Sequence, residues 1–491
     1  MPNPLDISRH TAAKVLSYIV ADFFPGAQLA GSEITPIGFI CDFALTQPLD
    51  EKALPLLEER MRGAIKANSL IKKMDMMRKN AAAFFKHHKQ YYLSDLTLQQ
   101  PEEMVVVVEI GHFHDLSFGE CASSTAEAGA IKLLKIIPLD ETVRIEGTCF
   151  PDNQLLKQFL KRAERAKKSD HRMIGPEMHL FEEMEGEWVW FPKGMYLKNA
   201  LIAHWKSLSA KGQPIDCGKI DFEQFSKKLV YNLEELPLSF AELKVRKGKS
   251  GWGLFETHRH IRDEVHLISS NEDLYTQMIS SLHFINKTAK IFSFEYHWHL
   301  EVPTQKNAAR KLLEQALKEA GFEYSVSQGN KLSAEMRIID LLGREWPAGA
   351  LSVSQGVLTR SLYGSLERYI ALIVEQYAGK LPLWLAPEQV RVVAIGEKPI
   401  VYAKELSEQL KAKGFRVGAA YGSEALGAKV HAAEKERIPY LVIVGDKEEK
   451  HEKVTMRSCY KETVESGLKL DDVAARMSSE VDSEGLRKLG E

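Results

Sequence analysis

Residues 384–491 place strand-like and helix-like segments in alternation, and this order restricts the fold more than any other feature of the sequence. "VRVVAIG", "FRVGAAY" and "PYLVIVGD" have the apolar runs of buried strands, and "KPIVYAKELSEQLKAKG" and "GAKVHAAEKERI" between them have helical spacing. Because a helix between two strands returns the second strand parallel to the first, the alternation predicts a small parallel or mixed α/β sheet with helices on its faces. The later segment "KVTMRSCY" is expected to be an edge strand.

The size and charge of the chain indicate a globular protein of several domains. Its 491 residues predict about three domains, at roughly 100–200 residues each. The composition is 44% hydrophobic and 27% charged, as in ordinary globular proteins, and the formal net charge is −2. With a charge so near zero, any surface that binds nucleic acid has to be a local basic region.

Cysteine usage and hydropathy predict a cytoplasmic location. The five cysteines are an odd number, without a CxxC pair or zinc-finger spacing, which indicates reduced thiols. We recognise no secretion signal. The apolar run "VLSYIVADFF" is interrupted by Asp22 and is shorter than the ~18 residues that a membrane span needs. We therefore expect a cytoplasmic protein with no membrane partner.

Residues 1–152 have the pattern of a mixed α+β domain. Helical spacing runs from His10 to Phe24, and a second helical period covers 51–73. "EEMVVVVEIG" is a β-branched strand. The segment "SSTAEAGAIKLLKIIPL" reads as a loop followed by either a strand or a helix.

Residues 153–175 predict one long helix that links two domains. Its exposed side ends in a basic group formed by Arg162, Arg165, Lys167 and Lys168. Two interpretations stay open, a solvated linker helix or a helix that contacts a nucleic-acid backbone.

Residues 176–383 alternate aromatic strands with helices. "EGEWVWFPKG" and "IFSFEYHWHLEVP" have strand character, and the helix that follows the second closes at Gly321. "SLYGSLERYIALIVEQYAG" is predicted to be a buried amphipathic helix that ends before Gly379.

Several of these segments resemble the threonyl-tRNA synthetases, a family of class II aminoacyl-tRNA synthetases. "LGREW", "GSLERYIALIVEQYAGKLPLWLAPEQVRV" and "IPYLVIVGDKE" resemble the end of the catalytic domain and the anticodon-binding domain, and "DHRMIGPEMHLF" resembles the start of the catalytic domain. "RHTAAKVL", "GFICDF" and "HDLSFGEC" resemble the editing domain. The small ubiquitin-like domain that often precedes the editing domain is not matched.

The resemblance implies an α+β multidomain fold: an editing-like α+β domain, a class II antiparallel sheet with helices, and an α/β anticodon-binding-like domain. The expected divisions are an editing-like domain over 1–152, a linker helix over 153–175, a catalytic-like domain over 176–383 and an anticodon-binding-like domain over 384–491. The catalytic-like domain is expected to be shortened, because only about 30 residues separate "HWKS" from "LPL". The missing part normally carries the family's first motif and its dimer contacts.

The editing pocket of the family uses an HxxxH pair on a helix and a C-x-G-P-H segment. By the resemblance, His10 matches the first histidine, Lys14 stands at the second, and Ser117 and Cys121 stand at the cysteine and the last histidine. One interpretation is a structural remnant in which His10 flanks a helix and Cys121 is a small buried side chain. The other is a rearranged site of Cys121 and His10 with His112 or His114.

The adenylation site of the family binds ATP with magnesium and stabilises the developing charge with arginines. The resemblance puts Arg368 at the arginine that touches the γ-phosphate, with a structural salt bridge to a glutamate as the competing interpretation. Glu242 is retained from the second motif, Arg246 lies near the position of the arginine for the α-phosphate, and Arg259 is a candidate replacement for the lost arginines.

The family also grips its amino acid through a zinc ion held by Cys, His and His. His266 matches the first histidine, Thr359 stands at the last, and the cysteine position falls near Lys219, with Cys217 two residues away. A catalytic zinc needs three protein ligands, so we expect no zinc at full affinity. Pro347 and Ala350 also replace polar residues of the family and donate nothing from their side chains.

In the anticodon-binding-like domain, Glu448 and Arg457 match positions that meet anticodon bases, and Glu424 and Lys429 are retained. Ala420 and Gly422 replace an acid and an arginine. The competing interpretation is that Glu448 and Arg457 form a surface ion pair.

Three functional hypotheses follow. The first is a synthetase-like protein that lacks full aminoacylation and editing and binds tRNA or other RNA, a nucleotide or a protein partner. The second is a divergent, active threonine–tRNA ligase that uses ATP and threonine. The third is an enzyme that activates another small carboxylic acid with ATP. Because the first motif is shortened, a homodimer is expected to be weaker than in the family or differently built.

Overall fold

The structure is a computed structural model that describes residues 4–209, 212–218, 220, 222–229, 236–248, 251–270, 272–304, 308–354 and 356–484. The chain divides into two compact units. The first is Met1–Glu164 with Leu342–Arg344, and the second is Arg165–Leu341 with Glu345–Glu491.

The first unit is a mixed α+β structure. Its helices and strands are α1 Pro4–Phe23, β1 Gln28–Thr35, β2 Gly38–Ala44, α2 Leu54–Ala67, β3 Ile71–Met77, α3 Arg78–His87, α4 Tyr91–Gln99, β4 Met104–Ile110, β5 Phe113–Ser117, β6 Ala130–Pro138, β7 Val143–Phe150 and the beginning of α5 Asn153–Ser169. The strands form two antiparallel sheets in the orders β1-β2-β7-β6 and β3-β4-β5. The apolar stripe of α1, which includes Val15, Leu16 and Val20, is buried in the core that these sheets share.

One prediction in this unit needs correction, and one open alternative is decided. The helix predicted over 51–73 ends at Ala67, where Asn68 takes a left-handed conformation that terminates it, and the residues after it form β3. The segment "SSTAEAGAIKLLKIIPL", for which the sequence allowed either a strand or a helix after the loop, contains the strand β6, which pairs antiparallel with β7.

The linker helix predicted over 153–175 is two helices. α5 ends at Ser169, and α6 His171–Glu177 begins at once. The Asp170 side chain accepts a hydrogen bond from the Arg172 N–H at 2.9 Å, which caps the new helix and explains the break.

The central part of the second unit contains a large sheet. Its elements after α6 are β8 Phe181–Met184, β9 Glu187–Trp190, α7 Pro192–Leu208, β10 Gln213–Pro214, α8 Phe222–Ser226, β11 Leu238–Lys247, β12 Arg259–Ile268, α9 Leu274–Ile291, β13 Glu295–Pro303, α10 Ala308–Glu319, β14 Tyr324–Gly329, β15 Leu332–Ile339, β16 Glu345–Ser354, β17 Val357–Ser361 and α11 Leu366–Gln376.

This central sheet has the order β10-β11-β12-β17-β16-β15-β13-β14. Its pairs are antiparallel apart from β10–β11 and β13–β14. One face is apolar, and Trp298, Leu300 and Met336 lie in the same buried core as residues of α9 and α11. The other face is polar. The predicted class, α+β with an antiparallel catalytic-like sheet, is confirmed.

The C-terminal part is the α/β structure that the alternating pattern predicts. Its elements are β18 Val390–Ala394, α12 Ile400–Ala412, β19 Val417–Ala420, α13 Leu426–Lys435, β20 Tyr440–Val444, α14 Asp446–His451, β21 Val454–Ser458, β22 Thr463–Leu468 and α15 Leu470–Glu484. The order of this C-terminal sheet is β19-β18-β20-β21-β22, with β18, β19 and β20 parallel. The strand in "KVTMRSCY", β21, was predicted at the edge but lies between β20 and β22.

A cluster of four charged side chains joins α7 to the C-terminal sheet. Lys193 Nζ lies 2.8 Å from carboxylate oxygens of both Glu388 and Glu436. Arg391 pairs with the same two carboxylates, at 2.7 Å and 2.8 Å. Burial alone would raise the pKa of Glu436, but hydrogen bonds from Arg391 and Lys193 lower it to about 2.

Candidate functional site

Cross-strand register gathers the candidate residues on the polar face of the central sheet. The opposed pairs Glu242↔Glu264 and Arg246↔His260 join β11 to β12, and His266↔Thr359 joins β12 to β17. Opposed residues in antiparallel strands share a face. All of these residues except the buried Glu242 border an open cleft of about 1330 Å³. Its lining includes Arg246, His260, Arg262, Glu264, His266 and Thr359.

Arg368 is held by main-chain carbonyl groups. It lies in the first turn of α11, where its Nε donates to the Phe255 carbonyl at 2.8 Å and its Nη1 to the Pro347 carbonyl at 3.1 Å. The Phe255 ring stacks on Trp346, with ring centroids 4.6 Å apart, and Trp346 lies beside the guanidinium. Among the described contacts of Arg368, the predicted salt bridge to a glutamate is not found. Burial lowers the pKa of Arg368.

Glu264 binds two arginines of the cleft. Arg246 Nη2 lies 3.2 Å from Glu264 Oε1, and Arg262 Nε lies 3.0 Å from the same oxygen. Sequence reasoning missed Arg262 and Glu264, although their alternation with His260 and His266 along β12 was the available signal. Both arginines therefore have an internal anionic partner.

Arg259 is not among the residues that line this cleft, although Lys247, its partner across the strand pair, is. Arg259 borders a smaller pocket of about 210 Å³ with Trp188, Trp190 and Lys198. Its role as a replacement for the phosphate-binding arginines stays a prediction.

The predicted zinc position is filled by contacts within the protein. His266 Nδ1 lies 2.9 Å from Thr359 Oγ1, and its Nε2 lies 3.2 Å from Glu242 Oε1. The Phe222 ring stacks on His266, with centroids 4.0 Å apart and planes 5° from parallel. Both ring nitrogens of the imidazole are thus engaged.

The backbone of Cys217 lies close to Glu242. Its N–H donates to Glu242 Oε2 at 3.2 Å, while burial and the Glu242 charge raise the pKa of its thiol, which disfavours the thiolate that binds zinc. Lys219 lies outside the described residues. His266, Thr359 and Cys217 thus offer one histidine, a threonine and a thiol that resists ionisation, and these three residues do not fit a zinc ion.

A second set of ligand types occurs here, formed by Glu242, Glu264 and His266, whose donor atoms lie within 4.8 Å of one another. Cationic side chains already neutralise both carboxylates, because Lys244 Nζ lies 3.6 Å from Glu242 and two arginines bind Glu264. Burial would raise the pKa of Glu242, but its hydrogen bonds from His266 and from the Cys217 N–H hold it below its ordinary value. A cation would have to displace these contacts.

In the first unit, Lys14 forms a buried ion pair at the position where the resemblance expects a histidine. Its Nζ lies 2.8 Å from Asp115 Oδ2 and also donates to the Leu116 carbonyl at 2.7 Å and to Ser32 Oγ at 3.0 Å. The Lys14 side chain is fully buried. Its ammonium is therefore part of the structure of this unit.

The other editing-like residues surround Gly119. Ser117 Oγ lies 3.5 Å from Cys121 Sγ, and the His10 ring occupies the space into which a side chain at Gly119 would project. Burial, and next the Lys14 charge, lower the pKa of His10. Along β5, the side chain of His114 points to the face opposite that of Asp115 and Ser117.

The two histidines considered for a rearranged site have other contacts. His114 packs against Phe84 and His88. His112 packs edge-on against Tyr18. The rearranged site of Cys121 and His10 with His112 or His114 stays a prediction.

The candidate base-reading residues of the C-terminal sheet are mostly bound internally. Lys429 is buried, and its Nζ donates to the carbonyls of Ala394 at 2.8 Å and Gly422 at 2.6 Å. Glu448 accepts from the Gly445 N–H and from Thr455 Oγ1, both at 3.1 Å.

Arg457 and Glu424 complete this set. Arg457 Nη2 binds Glu434 Oε1 at 2.7 Å, so the predicted pair of Glu448 with Arg457 is wrong. Glu424 is exposed.

Comparisons with known proteins agree with this architecture. Residues 389–480 match the family described as "Anticodon binding domain". The chain is 29% identical to the "Threonine--tRNA ligase" of Clostridium novyi (strain NT) over 566 aligned positions, which cover 97% of the chain and 88% of the relative. The ligase of Clostridioides difficile (strain 630) is 29% identical over 565 positions, with the same coverage. The alignments are longer than the 491-residue chain, so these relatives carry internal segments that it lacks.

Solved structures show the same fold. The RNA binding domain of threonyl-tRNA synthetase from Cryptosporidium parvum Iowa II superposes with a TM-score of 0.56 at 21% identity and covers 63% of this chain and 98% of its own. Giardia lamblia prolyl-tRNA synthetase, in complex with prolyl-adenylate, superposes with a TM-score of 0.51 at 16% identity and covers 66% of this chain and 80% of its own.

The central sheet and the matched anticodon-binding domain give the chain the fold of a class II aminoacyl-tRNA synthetase. Along nearly its whole length, the chain is similar in sequence to the threonyl-tRNA synthetases. No helix in the described part of the chain combines the length and apolarity that crossing a membrane requires.

Proposed function

We propose that this protein binds tRNA on a synthetase scaffold and activates no threonine. The observation that carries the proposal is the state of His266, whose two ring nitrogens are engaged by Thr359 and Glu242. A synthetase that selects its amino acid through zinc needs this imidazole as a ligand. Here the imidazole belongs to a closed set of hydrogen bonds.

The phosphate side of the cleft supports the same conclusion. An arginine that stabilises a transferring phosphate contributes through charge that no internal anion has neutralised. Arg246 and Arg262 share the Glu264 carboxylate. In β16, Pro347 and Ala350 offer no side-chain donor to an adenylate.

Loss of editing follows from the Lys14–Asp115 pair. A lysine that is buried and bound to a carboxylate cannot act as the neutral acceptor that a second histidine supplies. The remaining His10, Ser117 and Cys121 lack that partner.

Binding of tRNA rests on the anticodon-binding domain over 389–480. Because Lys429 and Glu448 are engaged internally, few side chains remain to read bases, and each lost bidentate contact removes about 1–3 kcal/mol of discrimination. We therefore expect binding with little preference among tRNAs. The proposal keeps the four-part division at 152, 175 and 383 and a cytoplasmic location.

ATP–pyrophosphate exchange and tRNA binding together test the proposal. We expect no exchange with threonine, with or without added zinc, while filter binding detects tRNA with an affinity that falls as salt rises. Circular dichroism establishes that the protein assayed is folded. Exchange with threonine would refute the proposal that the protein activates no threonine. Absence of tRNA binding at low salt would refute the proposal that it binds tRNA.

The open cleft favours a second candidate, an enzyme that activates another small carboxylic acid with ATP. A volume of about 1330 Å³ has room for a nucleotide and an acid. Exchange that appears with a different amino acid from a panel, and that Arg368→Ala abolishes, would select this candidate.

A further inference from the structure

Three side chains of metal-binding type lie close together in the first unit, apart from the sites described above. Glu109 of β4 and His114 of β5 are directly opposed in the antiparallel pair, and His114 Nε2 lies 3.7 Å from Glu109 Oε2. His88, the residue after α3, has its ring centroid 5.4 Å from that of His114. Imidazole nitrogens and carboxylate oxygens are the ligands that zinc and other divalent transition metals take in proteins.

The two spacings suit residues that share one tetrahedral ion. With metal–ligand bonds of about 2.0–2.2 Å, donor atoms at the tetrahedral angle lie about 3.4 Å apart, close to the 3.7 Å between His114 and Glu109. Two imidazoles bound to such an ion through a ring nitrogen have centroids about 5 Å apart, close to the 5.4 Å between His88 and His114. The backbone therefore already holds the three residues at the separation that an ion requires.

His88 has to turn its ring to complete the set. Among the described side chains, the donor atoms of His88, His114 and Glu109 do not all lie within 4.8 Å of one another. His88 is exposed, and its ring packs against those of Phe84, His87 and His114. Because these contacts are ring contacts, a rotation of the His88 side chain exchanges one packing for another and breaks no hydrogen bond of the imidazole.

His114 and Glu109 have the protonation states that a metal requires. Burial lowers the pKa of His114, so its imidazole is neutral at pH 7, and the His112 backbone forms a hydrogen bond with it. Metal-bound histidines commonly use their second ring nitrogen in this way, which orients the first nitrogen towards the ion. A hydrogen bond from Lys72 to Glu109 Oε1, at 2.7 Å, lowers the pKa of Glu109, so the carboxylate is ionised and keeps Oε2 on the side of His114.

Histidines beside carboxylates in the central sheet lack one of these features. His299 has both ring nitrogens bound by serine hydroxyl groups, each at 2.8 Å. His297 Nε2 lies 3.4 Å from Glu345 Oε2, but Arg337 already pairs with the same oxygen at 3.5 Å. At Glu109 the cationic partner binds the other oxygen. The first unit therefore offers a carboxylate oxygen and two imidazoles that a cation can reach.

We propose that His88, His114 and Glu109 form a binding site for a divalent transition-metal ion such as zinc, with the fourth position open to solvent. The ion would join the end of α3 to the sheet β3-β4-β5. An exposed site with three ligands, one of which has to turn, is expected to bind zinc with a dissociation constant on the order of 10 μM, so the ion is lost during purification. The site is separate from His266, and the inference goes beyond tRNA binding.

Calorimetric titration of zinc into the untagged, chelator-treated protein tests the site with matched variants. We expect one binding event near 10 μM in the parent, and His88→Ala and His114→Ala should each weaken it at least about tenfold. His297→Ala, which removes another histidine beside a carboxylate, should bind zinc as the parent does. Circular dichroism establishes that each variant is folded. A parent that binds no zinc at about 1 mM, or binding that either His88→Ala or His114→Ala leaves unchanged, overturns the proposal.

Chemical modification gives a second readout in the unmutated protein. Diethyl pyrocarbonate acylates accessible, neutral imidazoles, and a ring nitrogen bound to zinc is blocked. At about 100 μM zinc, roughly nine-tenths of such sites are filled, so modification of His88 and His114 should slow about tenfold by peptide mass spectrometry. His87, which is exposed and next to His88, should react at an unchanged rate. Protection of His87 in place of His88, or no protection, contradicts the assignment. Neither assay contains RNA, so failure here leaves the tRNA-binding proposal standing.

Discussion

Lys14 Nζ lies 2.8 Å from Asp115 Oδ2, and both side chains are buried, with 0% and 4% of their surfaces exposed. The pair bridges α1 and β5 at the place where the resemblance to threonyl-tRNA synthetases expects a histidine of the editing pocket. The ammonium of Lys14 thus stands at that position as a structural group, paired with the carboxylate of Asp115.

Removing one member of this pair should destabilise the first unit. Lys14→Met leaves the buried Asp115 carboxylate unpaired, which costs about 3–5 kcal/mol, and the first transition in thermal unfolding should move to lower temperature. Lys14→Met combined with Asp115→Leu removes both charges and should recover most of the loss. A single variant as stable as the parent would contradict the structural role.

Zinc should make no contribution to stability through His266. Because Thr359 and Glu242 engage both nitrogens of His266, we expect the purified protein to contain substoichiometric zinc and its melting temperature to be unchanged by a chelator. Elemental analysis and calorimetry check this. Stoichiometric zinc in the parent that disappears in His266→Ala would show that the imidazole is a ligand after all.

Acid should weaken the junction between α7 and the C-terminal sheet. The pKa of Glu436 is about 2, below its value in the unfolded chain, so its contribution is fully present above about pH 4.5 and is lost as the pH falls towards 2. Glu436→Gln should lower the free energy of unfolding at pH 7 by about 1–3 kcal/mol and flatten its decline in acid. Glu434→Gln, which affects a more exposed pair in the last turn of α13, just before Glu436, should cost under about 1 kcal/mol. Equal effects of the two changes would refute this ranking.

Lys429 should matter for stability and Glu424 should not. Lys429→Met leaves the carbonyls of Ala394 and Gly422 without their donor, at about 1–3 kcal/mol for each buried group. Glu424→Gln changes an exposed side chain, and we expect an effect within about 0.5 kcal/mol. Urea denaturation followed by tryptophan fluorescence compares the two. If Lys429→Met is fully stable but binds tRNA more weakly, the lysine contacts RNA.

The sequence predicted those parts of the fold that depend on local pattern. The alternation after residue 384 predicted β18, β19 and β20 and the helices between them, because these strands are mostly apolar. β22 was missed, since five of its six residues are exposed and carry no apolar alternation. That omission made β21 look like the edge.

The site residues depended on register, which sequence spacing does not contain. Arg259 and His260 are neighbours in the chain, but only His260 lines the large cleft, and a shift of one residue in register would change every such assignment. The partners Lys14 and Asp115 are 101 residues apart, so no local pattern connects them. Family resemblance located the positions, and only the structure showed what each side chain binds.

The four charges at Lys193, Glu388, Arg391 and Glu436 have a mechanical consequence. Glu388 precedes β18, and its bonds to Lys193 and Arg391 clamp the chain where it enters the C-terminal sheet. A displacement of the C-terminal sheet would therefore be passed directly to α7 through these ion pairs. Because α7 packs in the same core as the central sheet, a partner bound to the C-terminal sheet would be linked to the frame of the cleft.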